Sequence, residues 1–101
     1  SARWGIRATV VNLMIYVDKH HIDTVEKVIL RWTATEASKE VRDNYAQVIR
    51  KHLKTKPNEI INLWKWQTLY QVTRGIIEFE NGHDPYTLET YKKVFPKLNA
   101  L

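Results

Sequence analysis

Residues 66–82 read WQTLYQVTRGIIEFENG, and this stretch decides the fold class. Its apolar side chains recur at intervals of three and four residues, which places them on one side of an α-helix. The predicted inward residues are Leu69, Val72, Ile76 and Phe79. Asn81-Gly82 follows them and supplies residues that tolerate the left-handed backbone of a helix C-terminus. The stretch therefore predicts an amphipathic helix from about Lys65 to Glu80 that ends at Gly82.

The same helical spacing recurs upstream, where three more helices are predicted. The first runs from about residue 4 to residue 19, and the second begins at a capping box formed by Asp23 and Glu26. The third runs from about Glu36 to Lys54, before Pro57. The inward faces of these helices are predicted to contain Ile6, Val10, Leu13, Met14, Val17, Val25, Val28, Ile29, Trp32, Val41, Tyr45, Val48, Ile49 and His52.

Downstream, Asp84-Pro85 is predicted to start a short fifth helix as its N-cap and first helical residue. Its inward residues are predicted to be Leu88, Tyr91 and Phe95. Four Trp, five Tyr and two Phe supply enough apolar area to form a core without a metal or a disulfide. We therefore predict an all-α protein, a compact bundle of about five helices that forms a single domain over residues 1–101.

Composition excludes several classes of function. The absence of cysteine rules out disulfides, Cys-based zinc sites and Cys nucleophiles. The most apolar stretch, Ala8 to Val17, is half of the roughly 20 residues that a membrane span requires, so no span is predicted. The sequence contains no Gly-rich phosphate loop, no GxSxG and no HExxH motif. We predict no cofactor and no metal site.

Glu80 is the carboxylate that requires an explanation. It lies within the apolar arc of its helix, whereas Glu78 points about 200° away, so the two cannot act together on one substrate bond. A carboxylate at a helix C-terminus needs a cationic partner or a raised pKa. Arg31 and Arg7 flank the apolar stripes of their helices, and we prefer Arg31. The prediction is a structural tie between Arg31 and Glu80, with a catalytic acid as the alternative.

The positive charge is concentrated in one part of the chain. The net charge is +5, and six cations against two anions in residues 38–56 leave +4 there. Arg50, Lys51, Lys54 and Lys56 form a predicted basic patch, which the negative end of the third helix explains without a ligand. Nucleic-acid binding is less favoured, because acidic residues occupy the start of that helix, where a recognition helix meets phosphates.

Several motifs resemble a known family. Gly5-Ile6-Arg7-Ala8, Val28-Ile29-Leu30-Arg31-Trp32, Asn44-Tyr45 and the run from Ile76 to Gly82 look like the motifs of the bacteriophage structural (virion) protein P5-like family. Thr33-Ala34-Thr35 stands where that family has prolines, and Gly75 stands where it usually has alanine. The usual upstream N-P-G-N segment is absent, so the chain resembles the helical C-terminal part of such a protein and is expected to be a fragment of a somewhat longer one.

The resemblance implies a phage-derived, virion-associated protein in the virion or the host bacterial cytoplasm. Its motif matches with candidate roles are Arg7, Arg31, Trp32, Tyr45, Glu80, Asn81 and Gly82. A non-enzymatic interaction module with a phage or host protein as its partner is the preferred function. The upstream segment gives the family a likeness to lysozyme-type enzymes, so a domain that degrades or binds cell-wall glycan, with Glu80 or Glu36 as its acid, is the alternative. Non-specific nucleic-acid binding is the second alternative.

Overall fold

A computed structural model describes residues 2–33 and 37–101. These residues form five α-helices and a 3₁₀ helix, and no strand occurs among them. The elements are α1 (Ala2–Lys19), α2 (Val25–Trp32), α3 (Lys39–Leu53), α4 (Trp66–Asn81), α5 (Leu88–Val94) and a 3₁₀ helix over Pro96–Ala100. The prediction of an all-α, single-domain protein is confirmed. Glu36, one of the candidate acids, lies outside the described residues.

The packing of α3 against α4 is close because of Gly75. A Cβ atom on Gly75 would lie 2.8 Å from the Cα atom of Ile49, which is closer than a Cβ atom approaches a neighbouring backbone. Tyr45 and Ile49 are buried on the α3 side of this contact, and Ile76 is buried on the α4 side. The absence of a side chain at position 75 therefore sets the spacing of the two central helices.

Among the described residues, the core consists of two clusters that share α4. One lies between α1, α2, α3 and α4, with Leu13, Ile29 and Ile49 among its buried residues. The other lies between α1, α4, α5 and the 3₁₀ helix; its buried residues are Ile6, Tyr70, Ile77, Tyr91, Phe95 and Leu98. Because α4 contacts both clusters, it is buried on more than the single side that its spacing predicted. None of the helices in the described part of the chain is long and apolar enough to cross a membrane.

Three helix starts differ from the predictions. Thr24, not Asp23, caps α2 by accepting a hydrogen bond from the Lys27 amide, and α3 begins at Lys39 behind the Ser38 cap. Thr87, not Asp84, caps α5. The predicted inward residues Val41 and Leu88 are 43% and 53% exposed, because each lies in the first turn of its helix and burial begins one turn later. The left-handed stop at Gly82 is confirmed, with φ of 76°.

Candidate functional site

Glu80 accepts two hydrogen bonds at the end of α4. Its Oε1 atom lies 2.7 Å from Trp32 Nε1 and 2.9 Å from the Tyr45 hydroxyl oxygen. Both groups donate, so a single carboxylate oxygen joins the last residue of α2 to α3 and α4. Hydrogen bonds to an ionised acceptor are stronger than neutral ones, and these two orient the carboxylate. We call these three residues the Glu80 cluster.

Aromatic packing holds the two donors in place. The Tyr45 ring stacks on Phe79, with 4.1 Å between centroids and 23° between planes. The Trp32 ring meets Tyr16 of α1 edge to face, with 6.0 Å between centroids. Such pairs stabilise a fold by about 0.5–1.5 kcal/mol beyond the area they bury. The Glu80 cluster is therefore part of the packing between the first four helices.

The predicted tie between Arg31 and Glu80 is not present. Arg31 is exposed on α2, where its side chain lines a groove with Lys19 and His20. Successive helical residues point about 100° apart, and Trp32 takes the inward direction that the tie required of Arg31. Arg7 does not replace it, because its guanidinium lies 5.4 Å from the Trp4 ring on the outer side of α1. Two uncharged donors satisfy Glu80 instead.

Glu78 has a hydrogen-bond partner of its own on α3. Its Oε2 atom lies 2.9 Å from His52 Nε2 of α3. The expectation that Glu78 and Glu80 point in different directions stays a prediction, because both carboxylates bond to side chains of α3. The two carboxylates therefore share no hydrogen-bond donor: Glu80 bonds to Trp32 and Tyr45, and Glu78 bonds to His52.

The predicted basic patch is only partly free to bind a ligand. Arg50 forms an ion pair of 2.6 Å with Glu26 of α2, and the same carboxylate accepts a hydrogen bond from the Asn58 amide. Arg50, Lys51 and Lys54 line one groove at the end of α3, and Lys56 is not among its lining residues. One of the four predicted cations therefore serves to tie α2 to α3.

The remaining motif residues stabilise the end of α4. Asn81 Nδ2 donates a hydrogen bond of 2.8 Å to the carbonyl oxygen of Ile77. Gly82 follows in the left-handed conformation, which glycine adopts without the steric cost of a Cβ atom. Both residues therefore have structural roles in the helix stop.

Sequence reasoning missed a polar cluster around Asp84. Asp84 Oδ2 accepts a hydrogen bond of 2.9 Å from the Tyr91 hydroxyl and lies 3.7 Å from Arg74 Nε. Asp84 Oδ1 accepts from the Tyr86 amide at 3.0 Å, which makes residues 84–86 an Asx turn. The Asp84-Pro85 pair predicts a helix start, but an aspartate before a proline also fits this turn. The aspartate thereby joins the loop after α4 to α4 and α5.

Sequence reasoning also missed the outer face of α1, formed by Trp4, Val11 and Ile15. These residues are 55%, 48% and 43% exposed, although Ile6 and Leu13 on the same helix are buried. Arg3 and Arg7 place their guanidinium groups 5.5 and 5.4 Å from the Trp4 ring centroid. The signal was present in the sequence, because α1 has apolar residues on all sides and only one side packs on the bundle.

Among residues 2–33 and 37–101, no group of three or more His, Asp or Glu side chains is placed to hold a metal ion. The Glu80 cluster and the Asp84 cluster each contain a single carboxylate, bonded to aromatic hydroxyl or indole donors. Their arrangement organises hydrogen bonds between helices.

Two of the buried tyrosines, Tyr45 and Tyr91, predict how stability depends on alkaline pH. Burial, and then the hydrogen bonds to Glu80 and Asp84, raise the pKa of Tyr45 and the pKa of Tyr91 above the ordinary value of 10.0. The unfolded chain loses these protons first, so these groups destabilise the fold only above pH 10. We expect the contribution of Tyr45 and Tyr91 to the free energy of unfolding to be constant below pH 9. Above pH 10 it should fall by up to about 1.4 kcal/mol per pH unit for each tyrosine.

Urea titrations at several pH values test this expectation, with the double variant Tyr45→Phe/Tyr91→Phe as the control. The variant lacks both hydroxyl groups, so its stability should change less with pH above 10. Equal slopes for the two proteins would contradict the assignment.

Comparison with known proteins finds a phage protein of similar sequence. The chain is similar to Protein P5 of Pseudoalteromonas phage PM2, with 31% identity over 91 residues. The aligned region covers 90% of this chain and 54% of the phage protein, so the chain spans about half the length of the curated relative it matches. No family model matches the chain, and no solved structure matches it. The similarity thus extends over nearly the whole bundle.

Proposed function

We propose that this chain is a phage-associated structural protein, and that it acts as a non-enzymatic module by presenting a surface to another protein. The similarity to Protein P5 of phage PM2 over 90% of the chain supports the association with a phage. The same similarity favours the virion, or the host cell that assembles it, as the place where the protein acts.

The outer face of α1 is the observation that carries the interaction role. Large apolar side chains that remain exposed side by side on a folded domain mark contact surfaces. Trp4 is the strongest example, because tryptophan and arginine dominate the energetics of protein interfaces and here Arg3 and Arg7 lie over its ring. The polar clusters, by contrast, are already bonded within the bundle.

The test is the composition of purified particles. Cells that carry the gene are induced for particle production, and the particles are purified by density and analysed by quantitative mass spectrometry. We expect the protein to co-purify with particles at a constant ratio to the main capsid protein after washes that remove a co-expressed cytoplasmic control protein. Loss of the protein in the same washes would contradict a structural role.

A cell-wall enzyme that uses Glu80 as its acid is the second candidate. The observation in its favour is an exposed carboxylate that two donors hold in one orientation. A general acid must release a proton at the substrate oxygen, and because Glu80 Oε1 accepts hydrogen bonds from Trp32 and Tyr45, only Oε2 could carry that proton. A peptidoglycan clearing assay decides between the two: clearing that Glu80→Gln abolishes would establish the enzyme.

The hydrogen bonds of Glu80 predict how its substitution changes the free energy of unfolding. We expect Glu80→Gln to lower the free energy of unfolding by about 1 kcal/mol, because the amide oxygen accepts the same hydrogen bonds more weakly. Glu80→Ala removes the acceptor and should cost about 2 kcal/mol, because the buried Tyr45 hydroxyl loses its partner. Urea denaturation measures both changes. The exposed Glu89→Gln serves as the control and should lie within about 0.5 kcal/mol of the wild type.

A further inference from the structure

The outer face of α1 continues into a groove against α5. The groove has a volume of about 340 Å³ and is lined by Arg3, Arg7, Val10, Val11, Lys93 and Val94. Three valines provide its apolar surface and three cations surround them. Trp4 and Ile15 extend the apolar surface along α1, so the exposed stripe covers positions 4, 11 and 15. We call this combined surface the α1–α5 groove.

The cations of the α1–α5 groove have no acidic partner within residues 2–33 and 37–101. The ion pairs formed there involve Lys27, Lys39, Arg50, His52, Arg74 and Lys92. On α5, Glu89 lies 3.2 Å from Lys92 and so pairs with a cation outside the groove. The surface therefore combines apolar side chains with positive charge that the described part of the bundle does not neutralise.

We infer that the α1–α5 groove binds an acidic amphipathic α-helix of a partner protein. This inference rests on the proposed function and specifies the chemistry of the partner. The stripe from position 4 to position 15 is about 16 Å long, or three helical turns, which suits a helix laid along α1. Apolar residues of the partner contact Val11, Ile15 and Trp4, and its Asp or Glu residues contact Arg3, Arg7 and Lys93.

A second copy of this chain is a poorer occupant. A symmetric dimer through this face would bring two sets of the same three cations together, and like charges across an interface disfavour association. An acidic amphipathic helix supplies negative charge to the three cations of the groove and apolar side chains to the exposed stripe of α1. Charge complementarity therefore selects a different protein as the partner.

Two designed peptides test the inference directly. Each is a capped helix of about four turns with leucines at i, i+3, i+4 and i+7; one carries Glu and the other carries Lys at the flanking positions. We expect the acidic peptide to shift the amide NMR signals of Val11, Ile15 and Val94 and to bind at least tenfold more tightly than the basic peptide. Its affinity should fall as ionic strength rises from about 0.05 M to about 0.3 M.

Matched variants show whether the groove is the site. Arg3→Gln/Arg7→Gln should weaken binding of the acidic peptide at least tenfold, whereas Lys51→Gln/Lys54→Gln removes the same charge at the end of α3 and should leave it unchanged. Val11→Ser should also weaken binding, and the exposed position of Val11 keeps the fold intact. Circular dichroism of each variant confirms folding.

Three results of the peptide test would overturn the inference: no binding of the acidic peptide at about 1 mM, equal binding of both peptides, or signals that shift away from the groove. Binding to anionic vesicles through Trp4 without binding of the acidic peptide would also overturn it. If the protein stays in purified particles and fails the peptide test, the inference fails and the proposed function stands. Selective peptide binding by a protein absent from particles would contradict the function alone.

Discussion

Gly75→Val is expected to reduce the free energy of unfolding by about 3 kcal/mol or more, which is a large part of the total stability of a small domain. Even the first added atom, Cβ, would lie 2.8 Å from both the Cα and the Cγ1 atoms of Ile49. One of these is a backbone atom, so α3 and α4 must separate to accept the side chain. That separation opens the core around Ile76, which is fully buried. Thermal and urea denaturation should show the loss.

Gly75→Ala separates the steric cost from the helix propensity. Alanine favours a helix by about 1 kcal/mol over glycine, and overpacking a core costs about 1–3 kcal/mol. We therefore expect alanine to destabilise the protein by about 1 kcal/mol, between wild type and valine. An alanine variant more stable than the wild type would show that α3 and α4 shift apart at little cost. The family resemblance makes this outcome informative, since alanine is usual there.

The sequence predicted helices well where spacing and stop signals agree. For α4, the periodic apolar residues and Asn81-Gly82 gave bounds within one residue of the observed Trp66–Asn81. The observed cap of α2 lies one residue after the predicted one. Asp23 and Thr24 are both good caps, but Thr24 accepts from the Lys27 backbone amide whereas Asp23 accepts from the Lys27 side chain. Local signals thus predict that a helix exists more reliably than they predict its first residue.

The partner of Glu80 could not be predicted from spacing alone. Helical periodicity gives the direction of a side chain within its own helix, and it does not say which helix lies opposite. Arg31 and Trp32 are adjacent, and the choice between them depends on how α2 rotates against α4. Burial of the Trp32 ring against Tyr16 settles that rotation, and the indole then becomes the donor. The family motifs contained Trp32, Tyr45 and Glu80 without indicating that they meet.

The second large effect is expected at Asp84. Asp84→Ala should reduce the free energy of unfolding by about 2–4 kcal/mol, because the Tyr91 hydroxyl loses its acceptor and Arg74 loses its counter-ion. Tyr91 is only 2% exposed, so water does not readily replace the lost carboxylate. The Asx turn at Tyr86 is lost as well. Urea denaturation of the variant measures the sum of these effects.

A double-mutant cycle with Tyr91→Phe isolates the hydrogen bond from the rest. Asp84→Asn keeps an oxygen that accepts from the Tyr86 amide, but it removes the charge and replaces the oxygen that accepts from the Tyr91 hydroxyl by an NH2 donor. It retains the turn and should therefore cost less than Asp84→Ala. If Asp84 and Tyr91 interact as the 2.9 Å distance indicates, the two single changes together should cost about 1–3 kcal/mol more than the double variant. Additive costs would mean that the aspartate acts through the turn and Arg74. In that case the hydrogen bond between Asp84 and Tyr91 would add nothing to the free energy of unfolding, and Tyr91 would hold α5 against the bundle through its apolar contacts in the second core cluster.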